Sequence, residues 1–268
     1  MNLFEKILDY NIFGWSVSGN ESTVIVKCKS QKLNCCFDIG ITPPQSTNCD
    51  TIFVSHGHID HIAGLPLHCR KRMLCKMNPA KYFLPKKLIE PMKKVCQGFS
   101  EMHECENYET FEPNLIGVDV GDRIEINDNW VAEVISTNHR TEVSLGYILY
   151  NKKVSITRPE IAYLGDTSFK VFYPQPTHQH LLISKIIITE LTFIETTPRC
   201  QERSVTYGHT CLADFKNREN IFQDVSFLVF MHFSARYKGD EIYPAVHRHL
   251  PALKDKIFCL LLAQNVLY

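Results

Sequence analysis

Apolar residues along the chain fall mostly in short, β-branched-rich runs with strand-like spacing, separated by polar turns. Such runs occur at Asn11–Val17, Thr23–Lys27, Asn34–Ile39, Thr51–Ser55, Trp130–Thr137, Ser144–Tyr150, Ile161–Leu164, Lys185–Glu190, Ser226–Met231 and Lys256–Leu262. A helical period predicts helices over His61–Arg72, Pro85–Cys96, Thr210–Asn217 and Asp240–His249. Strands dominate the first part of each half of the chain and helices follow them. The layered solution is two mixed sheets packed face to face with helices over both outer faces, an α/β fold. No linker, low-complexity tract or repeat interrupts residues 1–268, which predicts a single domain.

Several of these runs stop at a residue able to bind a metal or move a proton. Thr51–Ser55 ends at His56, and Val131–Thr137 is followed by Asn138 and His139. Ile161–Leu164 leads through Gly165 to Asp166, Ile186–Thr189 ends at Glu190, and Phe227–Met231 ends at His232. Ligand sites in layered α/β folds gather beyond the carboxyl ends of strands. One such residue would carry little weight; five at five strand ends point to one site.

The densest of them is His56-Gly57-His58-Ile59-Asp60-His61, three imidazoles and a carboxylate in six residues. In an extended turn His56 and His58 project to one side and can reach one ion. Gly57 is expected to take an unusual φ and let the backbone approach the metal. Asp60 and His61 begin the next helix and turn toward a second position. Imidazole with carboxylate suits zinc, with manganese or iron as alternatives.

Composition narrows the rest. The chain has Lys+Arg 29 against Asp+Glu 29, so nothing global advertises a polyanionic partner and any such partner needs a local patch. The only candidate is the stretch from Arg70 to Lys94. There Arg70, Lys71, Arg72, Lys76, Lys81, Lys86, Lys87, Lys93 and Lys94 face the single acid Glu90. It reads either as an electrostatic footprint for a polyanionic substrate or as a solvated helix face that the acidic Glu101–Glu112 stretch neutralises. The 11 cysteines are scattered without a CxxC pair, which predicts reduced thiols and a cytoplasmic protein. Met1–Tyr10 does not resemble a secretory signal, and no apolar run approaches the ~20 residues of a membrane span.

Ser55-His56-Gly57-His58-Ile59-Asp60-His61 resembles the HxHxDH signature of the metallo-β-lactamase superfamily, which implies a four-layer αββα sandwich. Within it the chain is similar to short-form ribonuclease Z, the endonuclease family that matures tRNA 3′ ends. The resemblance covers roughly Tyr10 to Leu261. It rests on Phe37-Asp38-Ile39-Gly40, His61-Ile62-Ala63-Gly64-Leu65-Pro66, His139 with Gly146-Tyr147, and Gly165-Asp166-Thr167. Glu190-Leu191-Thr192-Phe193, Gly208-His209-Thr210 and His232-Phe233-Ser234-Ala235-Arg236-Tyr237 complete it.

What the resemblance implies is specific. His56, His58 and His139 would hold one divalent ion; Asp60, His61 and His232 would hold a second; Asp166 would bridge them. Asp60, Glu190 and His209 would be the catalytic residues, with His209 a protonated imidazole at the leaving 3′ oxygen and Glu190 its orienting carboxylate. Arg236 reads as a phosphate clamp or, equally, as half of a structural pair with Asp38. The expected substrate is precursor tRNA, and family dimers suggest a homodimer. The chain departs from the family between the third histidine and Gly-Asp-Thr. Only Asn151–Glu160 separates Tyr150 from the Ile161 run, a hairpin where many members carry an arm that grips tRNA. That departure keeps open a hydrolase of a small ester, lactam, thioester or cyclic phosphodiester. A catalytically weak RNA-binding protein is disfavoured because every apparent metal ligand is present.

Overall fold

The computed structural model describes residues 5–102 and 112–267, so that the acidic 101–112 stretch and Cys105 fall largely outside it. The first sheet runs β1 (Glu5–Ile7), β2 (Tyr10–Ser18), β3 (Glu21–Cys28), β4 (Leu33–Phe37), β5 (Thr51–Phe53), β6 (Lys81–Pro85) and β7 (Asn114–Val118), side by side in chain order. The second contains β8 (Arg123–Asn127), β9 (Trp130–Ser136), β10 (Leu145–Asn151), β11 (Ile161–Tyr163), β12 (Ile186–Glu190) and β13 (Phe227–Met231). After β13, β14 (Phe233–Ser234) crosses to pair with β2, and β15 (Ile257–Cys259) closes the second sheet beside β13. Each sheet is antiparallel on one side and parallel on the other, β4 to β7 in the first and β11, β12, β13 and β15 in the second.

The strand sequences state how the sheets are covered. Ile186 and Ile188 of β12 enter a core between the sheets with Val24, Phe37, Phe53, Tyr147 and Met231. Ile187, pointing the other way, enters a second core with Phe215, Ile242 and Val246. A strand buried on both faces has no polar side, which is why this one reads as an unbroken apolar run. Ile52 and Val54 at the first sheet's outer face pack on Leu65, Cys69, Met92 and Cys96. Three cores therefore separate four layers. On one side lie α1 (Ile59–Ile62), α2 (Leu65–Leu74) and α3 (Ile89–Glu101); over the second sheet's outer core lie α5 (Leu212–Phe215), preceded by α4 (Pro198–Tyr207), and α6 (Gly239–His249). A short α7 (Leu262–Leu267) contacts β2. The αββα arrangement is the one the resemblance implied.

The differences are local and have causes. The helix expected over His61–Arg72 is broken between α1 and α2. The Gly64 N–H donates to Ile39 O at 2.8 Å, and a Cβ on Gly64 would lie 2.7 Å from that oxygen. The helix expected over Thr210–Asn217 is a single turn. Strands β1, β6, β7, β8 and β14 and helices α4 and α7 were not predicted. The signals for α4 are nonetheless present: Thr197 accepts from Cys200 N, Pro198 opens the first turn, and Gly208 closes it at φ 71°. Its polar composition hides the period. Among the described residues every cysteine is a free thiol, and no helix is long and apolar enough to cross a membrane.

Candidate metal centre and proton donor

The carboxyl ends of β5, β9, β11, β12 and β13 bring the expected residues into one cluster. His56 Nε2 and His58 Nδ1 stand 2.9 Å apart, and His139 Nε2 lies 3.3 Å from His58 Nδ1. Asp166 Oδ2 is 4.0 Å from His56 Nε2 and 3.8 Å from His139 Nε2, so four donor atoms surround one point. Asp166 Oδ1 turns to a second set, 3.3 Å from both His61 Nε2 and His232 Nε2. Asp60 Oδ2 completes it at 3.4 Å from each of the same nitrogens. One carboxylate thus offers one oxygen to each group.

The donor set fits cations. His61 Nε2 and Asp166 Oδ1 are buried with no hydrogen-bond partner, although each points into the cluster. An uncompensated buried polar atom costs about 1–3 kcal/mol, which a coordinated ion would relieve. Contacts behind the ligands fix their tautomers. His61 Nδ1–H donates to Asp38 Oδ2 at 2.7 Å, and His139 Nδ1–H to Gly208 O at 2.8 Å. Since Ser55 Oγ donates to Asp38, it accepts from His56 Nδ1 at 2.9 Å. Each bond leaves Nε2 with its lone pair toward the cluster. Burial favours the neutral form of His56, whose pKa falls well below the imidazole range. Burial opposes charge on Asp60, but His232 and His61 outweigh it and hold the carboxyl below its usual range. Asp38 (φ 54°) and His232 (φ 61°) adopt left-handed backbone, a strain of about 1 kcal/mol or more that the network holds in place.

Beside this cluster His209 Nδ1–H donates to Glu190 Oε1 at 2.8 Å. Glu190 is fully buried and also accepts from Thr167 N, Thr210 N and Thr192 Oγ1. Burial alone would lower the His209 pKa; the Glu190 charge and hydrogen bond override it and lift it to about 9. The Glu190 carboxylate therefore favours the imidazolium form beside the two donor groups, with Asp166 Oδ2 3.9 Å from its Nδ1.

All seven expected ligands and the Glu190–His209 pair converge. Arg236 does form a structural pair, but its carboxylate partner is Glu195, at 2.7 Å, and not Asp38, which is filled by Ser55, His61 and Tyr163. The guanidinium also lies over the Tyr237 and Phe193 rings. Gly57 does not take a positive φ; it is small because Leu88 packs against it, 3.0 Å from where a Cβ would be. The left-handed glycine next to a ligand is Gly165, at φ 56°, which turns the chain into Asp166. The basic stretch is only partly a surface: Arg72 is buried, donating to the carbonyls of Thr47, Cys49 and Asn78. Lys86, Lys87 and Lys93 pair with Asp119, Glu142 and Glu90 on the surface. Asn151–Glu160 is the expected hairpin, with Asn151 bridging Ser155. Not foreseen as supports were Ser55, Thr192 and Gly208. Gly208 alone had a signal, as the glycine that ends a helix and precedes His209.

The chain matches the model of the beta-lactamase superfamily domain over residues 33–210. It is 30% identical to tRNase Z TRZ1 of Arabidopsis thaliana, over 95% of this chain and 96% of that protein. It is also 30% identical to the chloroplastic tRNase Z TRZ2 of the same plant, over 95% of this chain and 76% of that one. The crystal structure of human tRNase Z, short form, superposes with TM-score 0.63 at 19% identity, covering 84% of this chain and 92% of that one.

Proposed function

Because this chain belongs to the tRNase Z family of the beta-lactamase superfamily, we propose that it is a metal-dependent endoribonuclease that cuts a phosphodiester bond at the 3′ end of precursor tRNA. The observation that carries this reading is the His209–Glu190 pair set against two donor groups that share Asp166. A thioester releases a thiolate without help from an acid, whereas a ribose 3′ oxygen is a poor leaving group and needs a proton delivered to it. Two divalent ions, zinc first and manganese or iron as alternatives, would be held by His56, His58 and His139 and by Asp60, His61 and His232, with Asp166 between them. Such ions supply charge against phosphate oxygens and acidify a water. The protein's own part is to align the ligands through Asp38, Ser55 and Gly208, and to hold a proton on His209 at the leaving oxygen through Glu190. Arg236, fixed on Glu195 but part-exposed, is the remaining phosphate contact of this reading. Lys86, Lys87 and Lys93 sit in exposed, solvent-screened pairs, which phosphates can displace. A cytoplasmic homodimer completes the proposal.

The short Asn151–Glu160 hairpin favours a second reading, hydrolysis of a small substrate. Incubating metal-loaded protein with precursor tRNA, a small phosphodiester and a lactam separates them. Cleavage of precursor tRNA at one 3′ position supports the first; turnover of the lactam alone would overturn it.

A further inference from the structure

A cavity of about 230 Å³ opens beside the proton donor, with His209 and His139 in its lining. It is smaller than the roughly 300–1,000 Å³ of a site that engulfs a drug-sized molecule, and far too small for a duplex. Its rim carries three cations, Arg140, Lys170 and Arg218, and its wall carries Phe169 and Tyr173. The one acid there, Asp214, accepts from Cys211 N at 2.8 Å as a helix cap; Arg218 donates to its main-chain carbonyl, and its carboxylate makes no ion pair among the described residues. Lys170 is exposed; its carbonyl accepts from Tyr173 N at 3.1 Å, while its ammonium makes no hydrogen bond or ion pair among the described residues. Tyr173 is 47% exposed, and its ring meets that of Phe169 edge-on at 6.1 Å, so it is fixed yet presents a face. The segment bearing these residues follows Asp166 directly and is tied to the His139 loop by Ser168 N–H donating to Asn138 O at 2.7 Å. Its position relative to the cluster is therefore set.

We propose that this cavity is a subsite for one unpaired nucleotide, the nucleotide whose 3′ oxygen leaves at His209. Tyr173 stacks on its base, and Lys170 with Arg140 takes up the phosphates that flank it. The inference rests on the endoribonuclease reading above and adds to it which side of the scissile bond is gripped, and by what. An aromatic face at a cationic rim is how proteins hold single-stranded bases without reading their sequence. The cavity's size limits that hold to one base, and its place beside the proton donor assigns it to the leaving side.

The test is a thermodynamic cycle on a hairpin RNA carrying a 3′ extension, with either a normal or an abasic nucleotide immediately 5′ of the cut. In the unaltered protein the abasic RNA should lose about tenfold in kcat/KM, the effect of one lost stack. In Tyr173→Ala the normal RNA should lose a similar factor, and the abasic change should then add less than about twofold. Tyr173→Phe, which keeps the ring, should restore the abasic penalty. Lys170→Ala should weaken binding and flatten its salt dependence by about one unit. An abasic penalty that is the same with and without the Tyr173 ring overturns the subsite while leaving the endoribonuclease intact. No cleavage of either RNA by the unaltered protein removes the endoribonuclease reading, and the subsite goes with it.

Discussion

Asp38 and Glu190 are two fully buried carboxylates, Asp38 just past β4 of the first sheet and Glu190 the last residue of β12 in the second, and each grips a histidine. Asp38 accepts from Ser55 N, Ser55 Oγ, Tyr163 OH and His61; Glu190 accepts from Thr167 N, Thr210 N, Thr192 Oγ1 and His209. A buried carboxylate is tolerable only when its lone pairs are filled in this way. What differs is the far side of each imidazole. His61 is wholly buried and turns Nε2 to Asp60 and Asp166, while the His209 side chain keeps 14% exposure at the cavity. In the proposed centre the same device would make a metal ligand where the ring is sealed in and an acid where it meets the cleft. His68 supplies the contrast. It is just as buried but has only Tyr82 OH and Ser46 O for partners, and burial pushes its pKa down to about 4. The carboxylate, not burial, lifts the His209 pKa.

The comparison is broken most severely at the metal side. Asp60→Ala should leave a folded protein with fewer bound divalent ions, and phosphodiester hydrolysis should fall by more than about 10⁴-fold, since the two ions act as one clamp. Metal analysis alongside turnover checks this; full activity in the variant would remove the two-ion reading. His209→Ala comes next. Turnover should drop by roughly 10²–10⁴ with metal content unchanged, which separates the acid from the ligands. Loss of metal in step with activity would instead make His209 a ligand.

The two carboxylates themselves should give smaller and opposite signatures. Asp38→Asn should weaken metal binding by about 10–100-fold, measurable by competition with a chelator, because His61 loses the partner that orients it. Glu190→Gln should leave metal affinity alone and move the alkaline limb of the rate profile. His209 is protonated below a pKa of about 9 in the intact protein, and without the carboxylate burial pushes that pKa down past the ordinary imidazole value. Activity at pH 7 should then drop by more than about fourfold, and the loss at pH 8 should be larger. An unchanged profile would show that Glu190 does not set the proton on His209.

The smallest effect lies away from the site. His68 takes its proton at about pH 6.5 when unfolded but only near 4 when folded. Its contribution to stability is therefore full above pH 6.5 and is lost as pH falls toward 4. Denaturant unfolding at pH 5 should show a penalty of roughly 2 kcal/mol relative to pH 7.5 that His68→Gln lacks. Equal acid sensitivity in both proteins would mean that His68 is already protonated in the fold.

How legible these features were depended on chain distance. His56, His58, Asp60 and His61 declare themselves because four ligands share six positions, and period-two projection puts two of them on one ion. His139, Asp166, His209 and His232 lie dispersed along the second half, and only the family resemblance assigned their roles. Asp38 was quoted within a motif, yet its work, filling His61 and Ser55, joins residues 17 and 23 positions apart, which no local pattern encodes. Arg236 was offered the wrong carboxylate for the same reason. For the fold, continuous apolar strands such as Ile186–Glu190 were visible because both faces are buried. Lys81–Pro85 was missed because it sits inside a basic stretch, and the break at Gly64 because it comes from contact with Ile39 rather than from the helix itself.

Gly208 makes one last point. Its left-handed backbone ends α4, its carbonyl fixes the tautomer of His139, and the next residue is His209. A Cβ there would stand 2.9 Å from Arg140 N and 3.3 Å from His139 Nδ1. A ligand and the proton donor are thus wired to a single peptide unit. For anyone trying to re-engineer the centre, by selection or design, metal occupancy and leaving-group chemistry are not independent dials at this position: a side chain at residue 208 would turn both at once.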